Sequence, residues 1–70
     1  MMDAPCNYEI RIEGQLTERW TEWFDGLAIR SGPEGETLIS GTFADQAALF
    51  GTLNKIQALN LPLISVRRIA

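Results

Sequence analysis

Polar and apolar residues alternate from Tyr8 to Glu13, with Tyr8, Ile10 and Ile12 on one side and Glu9, Arg11 and Glu13 on the other. Period-two alternation predicts a half-buried strand, and Gly14 ends it. From Leu16 the period changes. Leu16, Trp20, Trp23, Phe24 and Leu27 recur at helical spacing, so Leu16–Phe24 is expected to be a helix. Thr17 is placed to cap it and Gly26 to stop it, with Glu18, Glu22 and Asp25 on its solvent side. Leu27–Arg30 reads as a second strand and Thr37–Phe43 as its returning partner. Between them, Ser31–Glu36 forms a turn in which Gly32 and Gly35 flank the Pro33-Glu34 pair. Ile39, Gly41 and Phe43 are expected inward, and Leu38, Ser40 and Thr42 outward. The missing side chain at Gly41 would let a helix approach closely.

The last third of the chain carries the strongest helix signal. Asp45 suits an N-cap, because its carboxylate can accept from free backbone N–H groups at the positive end of the helix dipole. Leu49, Leu53 and Ile56 then make a core-facing stripe, flanked by Thr52 and Leu59. Asn60 suits the left-handed residue after a helix, and Pro62 forbids continuation. Leu63–Ile69 is the last strand. Simple alternation puts Ile64 and Val66 on one side and Leu63, Ser65, Arg67 and Ile69 on the other. The resulting order, βαββαβ, predicts an α+β ferredoxin-like sandwich, with an antiparallel sheet in the order 4-1-3-2 and two helices on one face. Trp20, Phe24, Leu49, Leu53 and Ile56 are then expected in the core.

Seventy residues make a single domain, 1–70, with residues 1–7 expected as a flexible start. A chain this short buries only about 60 % of its unfolded surface, so self-association is one remedy for marginal stability. A 46 % hydrophobic content excludes a disordered chain. The net charge of −3 argues against nucleic-acid binding. The start of the chain lacks the basic and apolar parts of a signal peptide, and no apolar run is long enough to span a membrane. One cysteine, Cys6, forms no internal disulfide and fits a cytoplasmic location.

Tyr8-Glu9-Ile10-Arg11-Ile12, Trp20-Thr21-Glu22-Trp23-Phe24, Asp45-Gln46-Ala47-Ala48-Leu49 and Leu61–Arg68 together resemble a family of small bacterial proteins of about this length. The resemblance runs from Tyr8 to Ile69. It implies a compact domain and carries no assigned activity. Members often have His at the position of Phe50, and this chain has no His anywhere.

The inventory of reactive side chains is thin. Without His, and with one Cys, no metal or cofactor site is expected. Ser65 has no base beside it in sequence, the Gly-Pro-Glu-Gly turn lacks the Lys-Ser/Thr of a phosphate loop, and Asp45 reads as a cap, so no catalytic residue is nominated. The sequence points instead to surfaces. The first reading is a small non-enzymatic interaction or regulatory module, a homodimer, joined through an open sheet face at Leu38, Leu63, Ser65, Arg67 and Ile69. The plainer reading of Arg67 and Arg68 is edge protection and pairing with Glu9 or Glu13. A competing interface is the low-charge helix face of Ala47, Phe50, Gly51, Asn54 and Ala58. The alternative reading is a small-molecule-binding domain or minor enzyme with a pocket lined by Tyr8, Trp20 and Phe50.

Overall fold

A computed structural model describes residues 5–24 and 26–69, without the side chain of Glu18. Among these residues there are four strands, β1 (Cys6–Glu13), β2 (Ala28–Ser31), β3 (Glu36–Phe43) and β4 (Leu63–Arg68), and one α-helix, α1 (Gln46–Ala58). The strands form one antiparallel sheet in the order β2-β3-β1-β4, which leaves β2 and β4 at its edges. The expected flexible start is corrected in part: Cys6 and Asn7 belong to β1, opposite Phe43 and Thr42. The rest of that expectation, residues 1–4, lies outside the described residues.

Alternation fixes the two sheet faces. Ile10 lies opposite Ile39, and Ile29 of β2 lies opposite the same Ile39. These residues look toward α1 and form one core with Ile12, Phe24, Leu27, Phe43, Leu49 and Ile56. Asn7, Glu9, Arg11 and Glu13 occupy the other face with Leu38, Ser40 and Thr42.

Both ends of α1 are closed by their own residues. The Asp45 carboxylate accepts from Ala48 N–H at 2.9 Å. At the far end Asn60 is left-handed, with φ of 62°. Its N–H donates to the Gln57 carbonyl (2.9 Å), and the Leu61 N–H donates to that of Ile56 (3.4 Å). This pair of bonds satisfies carbonyls the helix would otherwise leave open. The buried side of α1 is Leu49, Thr52 and Ile56; Leu53 is only half-buried.

The two-helix ferredoxin-like sandwich is not what the chain forms. Where the first helix was expected, Glu18–Thr21 makes a single 3-10 turn, and Thr17 caps it by accepting from Arg19 N–H at 3.3 Å. The segment then bends through Gly26, whose φ is 82° and whose N–H donates to the Thr21 carbonyl at 2.8 Å. Short helices are marginal without strong formers, and Trp, Thr and Phe are poor ones. The aromatic rings reward compact packing instead. Trp23 stands edge-on to Trp20 and to Phe24, with centroids 5.6 and 5.0 Å away. Phe24 is fully buried, but Trp20 is half-buried and Trp23 is exposed, so the core expected around Trp20 rests on Phe24. Of the expected solvent-side acids, Glu22 is exposed; Asp25 and the Glu18 side chain lie outside what is described.

The approach that Gly41 permits is made by Leu27 rather than by a helix. A Cβ at residue 41 would sit 2.7 Å from Leu27 Cδ2.

Candidate interaction surface

β4 departs from simple alternation at its start. Ile12 pairs with Leu63 and Arg11 with Ser65, so Ile64 is an extra residue in a β-bulge. An extra residue reverses the facing of everything before it. Leu63 therefore shares the α1 side with Ile12 and Val66, while Ser65 and Arg67 stay on the opposite face with Arg11 and Glu9. The proposed grouping of Leu38, Leu63, Ser65, Arg67 and Ile69 on one open face is corrected at Leu63.

The face left open is a charged one. Arg67 meets Glu9 at 3.9 Å, and Arg11 meets Glu36 at 3.5 Å. Thr42 donates to the Asn7 side-chain oxygen at 2.5 Å. Leu38 is half-buried between Arg30 and Arg11, and those charges separate it from β4. Ile69 donates its N–H to the Asn7 carbonyl at 2.7 Å and exposes its side chain. No contiguous apolar patch arises from these residues.

Exposed apolar area gathers around β4 itself. Leu63 is 50 % exposed, Ile64 43 %, Val66 37 % and Ile69 47 %. The helix α1 packs on the middle of the sheet and stops short of β4. A groove of about 290 Å³ remains there, lined by Leu53, Asn54, Ile56 and Gln57 of α1 and by Leu61 and Leu63. Phe50, 56 % exposed, is on the same flank of the helix as Leu53 and Gln57.

The other nominated residues are scattered by comparison. Ala47, Gly51, Asn54 and Ala58 are exposed on α1. A side chain at Gly51 would meet open space, so nothing in the chain itself requires its small size. Tyr8 stands edge-on to Phe43 with centroids 5.8 Å apart, and Trp20 packs on Trp23. Trp23 is joined to the opposite flank of α1 from Phe50, since Lys55 donates to its carbonyl at 2.8 Å. Tyr8, Trp20 and Phe50 thus line none of the three described cavities. One of them, about 560 Å³, is an open cleft between Gln15–Thr17 with Arg19 and the β2 edge.

Sequence reading missed Thr37. Its buried hydroxyl donates to the Gly14 carbonyl at 2.6 Å and accepts from Leu16 N–H at 3.0 Å, which anchors the exit from β1. Period-two alternation from Ile39 was the available signal. Among the described residues no three His, Cys, Asp or Glu side chains gather as a metal site, and no helix is long and apolar enough to cross a membrane.

Among the described residues, the domain is a four-stranded antiparallel sheet with one α-helix. The chain belongs to the family described as Domain of unknown function (DUF8691), whose model matches residues 7–67. No curated protein and no solved structure matches it.

Proposed function

We propose that the chain is a small interaction module that works as a homodimer in a bacterial cytoplasm, using the β4 edge and the adjoining flank of α1. The observation that carries this reading is the exposure of Leu63, Ile64 and Val66 on an edge strand that α1 does not reach. An edge strand presents unpaired N–H and C=O groups, and natural proteins blunt such edges with charge or cover. Here the charges stand at one end only, at Arg67 and Arg68, and Arg67 is turned toward Glu9.

A second copy is the occupant the composition favours. The patch is apolar and neutral from Leu63 to Val66, so two copies meet without like charges there. A standard interface takes about 800 Å² from each partner. That is roughly a sixth of the 4589 Å² surface of this domain, a share that the β4 edge and the Phe50–Leu53 flank are placed to supply. The lone Cys6 and the resemblance to small bacterial proteins support the compartment.

Light scattering across a concentration series tests the reading. The wild-type chain is expected as a dimer at tens of micromolar, about the range where a modest interface is populated. Val66→Lys is expected to yield monomer, and Ala58→Glu, on the outer side of α1, to leave the dimer intact. A wild-type monomer throughout the series would exclude it.

A further inference from the structure

Resting on that dimer, we infer that the two β4 strands pair antiparallel about a two-fold axis at Val66, extending the sheet to eight strands. The backbone geometry selects this register. Ile69 N–H donates to the Asn7 carbonyl, so the Ile69 N–H points toward β1. Antiparallel ladders alternate, which directs the N–H and C=O of Arg68 and Val66 away from β1 to the free edge, and the alternation stops at the bulge residue Ile64. In the regular part of β4, only Arg68 and Val66 can form hydrogen-bonded pairs with another strand.

Three self-pairings keep inward side chains with inward ones. Centred on Val66, the ladder gains a hydrogen-bonded pair at Val66 with itself and sets Arg68 opposite Ile64 of the other copy, twice. Centred on Ser65, Arg68 falls opposite Pro62, which has no N–H to give. Centred on Arg67, two guanidinium groups stand directly opposite, a destabilising arrangement. Of the three, the Val66 register is the one that pairs a free-edge residue with itself and opposes no like charges, and it sets Arg67 against Ser65. The bulge at Ile64 then ends the ladder, because Leu63 has changed face. An axis at Val66 normal to the sheet also leaves both α1 helices on one side. The Val66 side chains and the two Phe50–Leu53 flanks therefore line a single trough between them, with Arg68 of each copy on the same side.

Cysteine cross-linking in a Cys6→Ser background reads the register. Facing Cα atoms in such a ladder lie about 4.5–5.5 Å apart, within disulfide reach. Val66→Cys is expected to form a covalent dimer on mild oxidation. Ser65→Cys and Arg67→Cys are each expected to stay uncoupled alone and to couple when mixed. Self-coupling of Ser65→Cys or of Arg67→Cys, with Val66→Cys inert, would reject the register while light scattering still showed a dimer. Monomer by light scattering would remove the dimer itself, and the register with it.

Discussion

The Thr37 hydroxyl holds the Gly14 carbonyl across 2.6 Å, joining the middle of the sheet to the point where the chain leaves β1. Thr37 is fully buried, and the same oxygen accepts from Leu16 N–H. Thr37→Val keeps the shape and leaves both backbone groups without that partner. The expected loss is about 1–3 kcal/mol, measured by urea unfolding. In a domain whose total stability is roughly 3–5 kcal/mol, that is a large fraction. An unchanged midpoint would show that water replaces the bond.

Gly41→Ala tests the contact with Leu27. The new Cβ would stand 2.7 Å from Leu27 Cδ2, so the strand or the leucine must shift. A cost of about 1–3 kcal/mol is expected. Leu27→Ala carries its own cavity cost, but in the double variant the clash is gone. A double-mutant cycle should therefore show favourable coupling between the two sites. Additive costs would place the penalty in backbone conformation rather than in this contact.

The two aromatic residues of the 16–27 segment should differ in weight. Phe24 is fully buried and Trp20 is not. Phe24→Ala is expected to cost about 3–5 kcal/mol, enough to unfold most of the population, and Trp20→Ala to cost clearly less. Circular dichroism melts of the two variants provide the comparison, and the reverse ranking would contradict this account of the core.

Asp45→Ala removes the N-cap of α1 and should destabilise the domain by about 1 kcal/mol, with Asp45→Asn retaining most of it. Arg67→Gln, by contrast, loses only a 3.9 Å ion pair whose arginine is two-thirds exposed. Its effect on monomer stability should stay within about 1 kcal/mol. Thermal unfolding at low and high salt separates the two, since only the ion pair is strongly screened.

The strands and the second helix were legible because their signals are local. Alternation at Tyr8–Glu13 and a cap at Asp45 need no knowledge of the rest of the chain, and Asn60 adopts the left-handed conformation its position suggested. Alternation also ran two residues further back than it was read, to Cys6. The 16–27 segment shows where periodicity misleads. Leu16, Trp20, Trp23 and Phe24 have helical spacing, but spacing states which side chains share a side and not whether a full helix is stable between two glycines. The facing of Leu63 was hidden for a different reason. A bulge is settled by how two strands meet, and neither Ile64 nor its neighbours carry a residue that announces it. For the candidate surface, the open face was expected to include Leu63, which the bulge sets on the α1 side.

The bulge also bears on how the length of this chain can change. Ile64 is the residue that the ladder does not count: Leu63 and Ser65 already stand opposite adjacent residues, Ile12 and Arg11. Deleting Ile64 would turn the bulge into regular pairing and leave every other side chain of β4 on its present face. Deleting Val66 would invert one end of the strand against the other. The start of β4 is therefore a place at which a codon can be lost without reversing the strand.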